Sequence, residues 1–254
     1  MNEQSVKSAD RVLDILELFR QHKAPMGVRQ IAEYFGYPKV STSVLLKSMA
    51  AKGYLSYDRN AHTFIPTMRV ALLGDWLQDS VGSGQHVERM VQRLGGLTGE
   101  TVVVAARNDI WSQVVLVQPS TYEIQYLPSA GSRRPLAFSG TGFALLAAMN
   151  DDEIERVYRA SRARLFRSDL PHERTFDVTI DEVAKVRKHG FAMTRGMTTT
   201  GATVIVMNLP EIYPETPMVV AVAGISDRVD DERATAIVGI MKRELVKFAA
   251  DVAQ

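Results

Sequence analysis

Lys39, Val40, Ser43, Val44 and Lys47 recur four residues apart along two neighbouring ridges of one amphipathic segment, the spacing that stacks side chains on a single helix face. Lysines so placed can pair with phosphate oxygens, and a serine can bond a phosphate or a base edge. The two valines carry no polar atom, so a base could meet them only through the C5-methyl of thymine. Packing of Val40 and Val44 against another element of their own domain fits the same pattern equally well. Ser41, Arg11, Arg29, Arg59 and His62 are further candidates for contacts to a nucleic-acid backbone. Other chemistry is poorly supplied. His22, His62, His86, His172 and His189 are scattered without a ligand pair at helical spacing, and there is no cysteine, which excludes disulfides and thiolate metal sites. The Gly140-Thr141-Gly142 stretch lacks the remaining glycine and lysine of a phosphate loop, and Ser139 lacks a GxSxG frame. No catalysis, cofactor or metal is expected.

The elements that must position the ridge can be read from apolar spacing. Val12, Ile15, Leu16 and Phe19 predict a first helix, with Ser8 as its N-cap and Asp10 in its first turn. Val28, Ile31, Ala32 and Phe35 predict a second, two turns long and stopped by Gly36. Pro38 opens the third, whose inward face is Thr42, Leu45, Leu46 and Met49. Two helices across so tight a turn make a helix-turn-helix. The aromatic and β-branched runs 54–58 and 63–66 flank Arg59-Asn60-Ala61 and predict a β-hairpin wing. In such a module the last helix enters the major groove, where each base pair shows a distinct pattern. Residues 1–70 hold ten Lys and Arg against six acids, although the whole chain carries only +1, so the basic excess lies where phosphates would be met.

Beyond the hairpin, 66–78 predicts a linker helix with Val70, Leu73 and Leu77 on one stripe, ending before Gly82-Ser83-Gly84. A further helix carries Val87, Met90, Val91 and Leu94 and ends at Gly95-Gly96. Either helix could pair with a second subunit or pack within its own chain. Strands are predicted at 101–106 and 113–118 around an Asn108-Asp109 turn, at 122–127, at 203–209 and at 218–225. Asn150 with Glu153, and Thr179 with Glu182, read as capping pairs; the second helix closes with Lys185, Arg187, Lys188 and His189 before Gly190. Val238, Met241, Leu245, Phe248 and Val252 mark a terminal helix, and the whole is an α+β domain. The longest apolar run, 218–225, falls far short of the roughly 20 residues that span a bilayer. The polar opening MNEQSVKSAD lacks a signal core, so a cytoplasmic protein without membrane contact is expected. Arg133 and Arg134, before Pro135, could reach a ligand carboxylate or be held by solvent and acids of the same chain. The small stretch Thr198-Thr199-Thr200-Gly201 reads as a plain loop or, as the alternative, a mobile flap at the mouth of a ligand site.

VKSADRVLDILELF, RQIAEYFGYPKVSTSVLLKSMAAKGYL and TFIPTMRVALLG, followed in order by GETVVVAARND, SAGSRRPLAFSGTGFALLA, HGFAMTRG and MVVAVAGISDRV, resemble the IclR family of transcriptional regulators over nearly the whole chain. The resemblance implies a winged helix-turn-helix over 1–67, a linker helix over 68–84, and over 85–254 a GAF-like α/β effector domain with an antiparallel sheet. It also implies double-stranded operator DNA and a small-molecule effector as partners, in a homodimer or a dimer of dimers. Where the family commonly has His-Arg in the recognition helix, this chain has Ser43 and Val44. At positions matching the family's effector pocket stand Tyr126, Gly140, Thr141, Thr194, Val204, Ala221 and Ala223. The family's acid, cysteine and hydroxyl anchors at Thr194, Val204, Ala221 and Ala223 are mostly replaced, which implies an aromatic or largely apolar effector oriented by Thr141, Thr194 or a backbone N–H. A C-terminal domain that only oligomerises, with these residues filling its core, is the alternative.

Overall fold

A computed structural model describes residues 6–73, 84–165, 175–210 and 216–252, and the chain divides into two compact units, Met1–Ser80 and Val81–Gln254. The first contains α1 (Lys7–His22), β1 (Met26–Gly27), α2 (Val28–Phe35), α3 (Lys39–Ala51), β2 (Leu55–Asp58), β3 (Thr63–Pro66) and α4 (Met68–Leu72). Ile15, Leu18 and Phe19 of α1 meet Ile31 of α2, Leu46 and Met49 of α3, and Leu55 and Phe64 of the hairpin in one core. Each such side chain contributes roughly 1.5–3 kcal/mol by leaving water. Gly36, at φ +68, ends α2, and Tyr37 N–H closes the turn on Ala32 O at 2.9 Å; a side chain would disfavour that left-handed backbone.

Local details of this unit differ from the sequence reading. α1 is entered through the extended Val6, whose carbonyl accepts from Ala9 N and Asp10 N at 2.7 and 3.2 Å. Ser8 therefore lies inside the first turn and is not the N-cap. The hairpin gains a third strand because Met26 and Gly27 pair with Phe64 and Thr63, giving the order β1-β3-β2. Two residues are too few to show an alternation. Thr67 caps α4, its hydroxyl donating to Gly53 O at 2.6 Å and accepting from Arg69 N at 3.3 Å. The expected continuation of this helix through Leu77 and Gln78, and the break at Gly82 and Ser83, lie outside the described residues.

The second unit runs α5 (Gly84–Thr98), β4 (Thr101–Asn108), β5 (Trp111–Gln118), β6 (Arg133–Pro135), a 3-10 turn (Leu136–Phe138), α6 (Gly140–Leu146), α7 (Asp151–Leu165), α8 (Phe176–His189), β7 (Ala192–Arg195), β8 (Ala202–Asn208), β9 (Met218–Ile225) and α9 (Asp231–Val252). Its strands form one antiparallel sheet of order β6-β5-β4-β9-β8-β7. Val102, Val104, Ile205, Met207, Val220 and Val222 pack with Met90 and Leu94 of α5 and Ile237, Met241 and Phe248 of α9. The alternate residues Val103, Ala105, Val206, Val219 and Ala221 pack with Phe143 and Leu146 of α6, Ile154 of α7 and Val183 of α8. Helices thus cover both sheet faces, and the central strands are apolar on both sides.

Three expectations give way here. The run 122–127 is not a strand, because β6 takes the place beside β5, pairing Trp111, Ser112 and Gln113 with Pro135, Arg134 and Arg133. The segment is instead pinned elsewhere: Ser120 Oγ and Thr121 N donate to Gly99 O at 2.6 and 3.0 Å, and the Arg228 guanidinium lies 4.1 Å from the Tyr122 ring centre. Arg228 also donates to both carboxylate oxygens of the fully buried Glu100 at 2.6 and 2.8 Å and to Ile124 O at 3.3 Å. α5 runs through Gly95-Gly96 to Thr98, whose hydroxyl donates to Leu94 O at 2.7 Å; a Cβ on Gly95 would stand 3.0 Å from Gln118 Cγ, so this glycine serves close approach to β5. α8 starts at Phe176 on a Thr175 cap, while Thr179 sits buried within it and donates to Ala137 O at 3.0 Å. The Asn150–Glu153 box is present, with bonds of 3.1 and 2.9 Å.

Glu244 of α9 is buried yet charged, accepting from Lys247 Nζ at 2.7 Å and Arg93 Nε at 2.8 Å. The Lys247 bond above all, and then Arg93, hold its carboxyl below the ordinary carboxylate range against the opposing effect of burial. A carboxyl depressed on folding stabilises the fold above its unfolded pKa and loses that contribution as pH falls through the folded one. Glu244→Gln should therefore cost about 1.5–3 kcal/mol near neutrality. Thermal melts should also show a shallower loss of Tm than the parent chain suffers below about pH 5.

Candidate functional site

α3 turns Thr42, Leu46 and Met49 into the core, so its opposite ridges face out. Lys39 and Lys47 are exposed, Ser43 is half-buried, and Val40 and Val44 remain 79% and 63% exposed. Packing within this unit therefore does not account for the two valines. Lys47 has no acid partner among the described residues, whereas Lys39 Nζ stands 3.9 Å from Glu33 Oε1. The same Glu33 oxygen takes Arg29 Nε at 2.8 Å, which raises the guanidinium's pKa. Ser41 is half-buried and donates to Pro38 O at 2.9 Å, a role in the first turn of α3.

Around the ridge, the Arg11 guanidinium lies 4.5 Å from the centre of the Tyr37 ring. Tyr37 donates its hydroxyl to Asp14 Oδ2 at 2.7 Å, which pushes the phenol's pKa up. At the hairpin tip Arg59 is exposed. Asp58 Oδ1 accepts from Asn60 N and Ala61 N at 2.8 and 3.0 Å, and these donors, Ala61 first, keep its carboxyl below the usual range. His62, at φ +53, meets Tyr57 Oη through Nδ1 at 2.9 Å, leaving Nε2 outside that bond.

The second unit holds a cavity of about 40 Å³ on the sheet face beneath α6, and all seven residues expected from the family pattern line it. Val204, Ala221 and Ala223 form part of the floor with Val103 and Val114; the cross-strand pairs Val103–Ala221, Val204–Ala223 and Thr194–Val204 explain their convergence. Gly140 opens the space: a Cβ there would stand 3.0 Å from Thr194 Oγ1. Tyr126 and Pro128 come from the segment after β5, and exposed Thr198 lies at the rim. The 198–201 stretch is the β7–β8 turn, tied by Ala202 N to Thr199 O at 3.1 Å and by Ser226 N to Gly201 O at 2.8 Å.

The walls are more polar than the sequence reading implied. Ser112, Ser132, Ser139 and Arg134 also line the cavity. Ser139 Oγ is satisfied, donating to Pro135 O at 2.8 Å and accepting from Gly142 N at 3.1 Å. The buried hydroxyls of Ser112 and Ser132 have no partner. Of the adjacent Arg133 and Arg134, Arg134 lines the cavity, and the register of the three-residue β6 separates it from exposed Arg133. Among the described residues no group of three His, Asp or Glu is placed to hold a metal, and no helix is long and apolar enough to cross a membrane.

Residues 8–59 match the family model of the IclR helix-turn-helix domain, and residues 82–250 match that of the bacterial transcriptional regulator IclR C-terminal domain. The chain is 24% identical to the HTH-type transcriptional regulator BhcR of Paracoccus denitrificans, over 91% of this chain and 82% of that protein. It is 20% identical to the transcriptional repressor IclR of Escherichia coli, over 91% of this chain and 84% of that one. The crystal structure of the Thermotoga maritima IclR superposes with a TM-score of 0.69 at 15% identity, covering 98% of this chain and 99% of that one, a likeness of fold.

Proposed function

The chain belongs to the IclR family of DNA-binding transcriptional regulators, and from that premise we propose that the exposed ridges of α3 read operator DNA while the cavity of the C-terminal unit binds a small effector that alters this binding. The observation that carries the DNA reading is the pair of exposed valines, Val40 and Val44, flanked by the exposed lysines Lys39 and Lys47. Lysines on such a ridge neutralise phosphates and set affinity; valines touch thymine methyls and set preference. Ser43 adds a hydroxyl, Arg11, Arg29, Arg59 and His62 approach the backbone on either side, and Ser41 shapes the turn that presents them.

Two recognition helices in a dimer, or a dimer of dimers, must meet half-sites about one helical turn apart or a multiple of it. An effector alters that fit only by binding one arrangement of subunits better than another. The apolar floor favours an apolar body, aromatic or aliphatic, with Thr141 and Thr194 orienting it. The setting is the cytoplasm, where operator DNA is available. The smallness of the cavity favours a second reading, in which the C-terminal unit only oligomerises. It could hold a few waters at most, given the roughly 10–15 Å³ that one needs.

Lys47→Ala should weaken binding to all duplexes and reduce the slope of log affinity against log salt by about one. Val44→Ala should leave that slope unchanged and alter base preference at one or two positions per half-site, read by competition among variant duplexes; unaltered preference would sink the methyl-contact reading. A thermal-shift screen of the full chain should find small molecules that raise Tm through linkage, whereas a module used only for assembly would respond to none.

A further inference from the structure

We infer that Tyr57 is a positioning residue of the DNA-binding unit: its hydroxyl orients the His62 imidazole at the wing tip so that Nε2–H meets a backbone phosphate, and protonation of that ring makes DNA affinity rise as pH falls. This rests on the operator-binding reading above and adds to it a residue and a pH response.

Tyr57 and Phe64 stand opposite each other across β2–β3, with their rings 4.6 Å apart, and Phe64 is fully buried in the core of the unit. Tyr57 is thus anchored at one end and exposed at the other, where Oη lies 2.9 Å from His62 Nδ1. The turn between the two residues is closed by Asp58 Oδ1, which accepts from Asn60 N and Ala61 N at 2.8 and 3.0 Å. It delivers His62 in the left-handed region, at φ +53, where Asn, Asp and His are the non-glycine types found most often. Backbone held in that region gathers where function needs the geometry. Because Tyr57 takes Nδ1 and the residue is exposed, Nε2 is the nitrogen open to a ligand.

A neutral imidazole carries one N–H. With the Tyr57 hydroxyl donating to Nδ1, that hydrogen sits on Nε2, where a phosphate oxygen can accept it. Protonation puts a hydrogen on both nitrogens. Nδ1–H then donates to Tyr57 Oη, the pair stays joined, and the ring gains a positive charge facing the phosphate. The other charges at the tip do not change near neutrality: Asp58, whose carboxyl the Ala61 and Asn60 donors keep below the ordinary range, and the exposed Arg59. β3 contributes Thr63 and Phe64 and β1 contributes Met26 and Gly27, none of them titratable, while Arg29 at the start of α2 is engaged by Glu33. The response of the wing to pH therefore reduces to one ring.

A phosphate contact does not depend on sequence, so anisotropy of a rhodamine-labelled duplex of mixed sequence, titrated with the full chain at low salt, tests the assignment. Between about pH 8 and about pH 5.5 the affinity should rise about five- to ten-fold per bound wing, and the slope of log affinity against log salt should steepen by about one. His62→Asn suits the left-handed backbone but cannot titrate, and its binding should be flat over this range. His22→Gln, on α1, should keep the full response. Tyr57→Phe leaves the ring against Phe64 and removes only the hydroxyl. At the higher pH it should lose about two- to ten-fold in affinity, because a neutral donor needs its direction fixed. At the lower pH it should match the parent chain, because a charge tolerates reorientation. Binding indifferent to pH, or a response that survives His62→Asn, would overturn the assignment and leave the reading by α3 standing. A loss of equal size at both pH values in Tyr57→Phe would make its hydroxyl merely structural and overturn the positioning role. No binding of any duplex at either pH would remove the DNA reading and this assignment together.

Discussion

Burial of β9 on both faces is the constraint from which the C-terminal unit is built. A strand with a neighbour on each side and helices above and below must be apolar at every position, so only side-chain size can distinguish its two faces. On one face Val220 and Val222 fill the space against α5 and α9. On the other, Ala221 and Ala223 stop short of α6 and leave the floor of the cavity. A slip of one residue would exchange the two sets, filling the cavity and emptying the core. The site is thus a deficit of side-chain volume written into one strand, widened by the missing Cβ of Gly140. Glu100, Arg228 and Tyr122 hold the segment that supplies Tyr126 and Pro128 to the wall.

In the N-terminal unit a small core has the corresponding task. Ile15, Ile31, Leu46 and Phe64, one from each of α1, α2, α3 and the hairpin, are buried almost completely. They fix α3 in rotation about its own axis, and this is what leaves Val40 and Val44 facing outward. The surrounding cations are not equally available. Glu33 engages Arg29 and approaches Lys39, while Lys47 has no acid partner among the described residues. A phosphate must displace the Glu33 contacts to reach the first two and meets no competitor at the third.

Elements with a sustained period were legible before the structure: the three N-terminal helices, the β4–β5 hairpin, the valine-rich β8 and β9, and the terminal helix. The cavity positions were legible only through the family resemblance, because Ala221, Val204 and Thr194 come together by strand register, which no local pattern encodes. Tyr122, Ile124 and Tyr126 alternate as a strand should, yet the edge of β5 is occupied by three residues that contain a proline and two arginines. Composition favoured the wrong segment, and competition for one edge settled it. Ser112 escaped notice because a lone serine in a strand carries no signal until its partner across the sheet is known. Thr179 showed the opposite failure: its type and its spacing to Glu182 suit a cap, but its hydroxyl is drawn to Ala137 O from inside the helix.

The aliphatic ridge of α3 has a bearing on the chemical state of the operator. Val40 and Val44 can sense a methyl group in the major groove without sensing which pyrimidine carries it. On the proposed reading, 5-methylcytosine would present the same bump as thymine and uracil would present a gap. Enzymatic modification of cytosines, which a polar reader of N4 would overlook, would then create or shift binding positions for this regulator, coupling its choice of sites to the epigenetic marking of the chromosome.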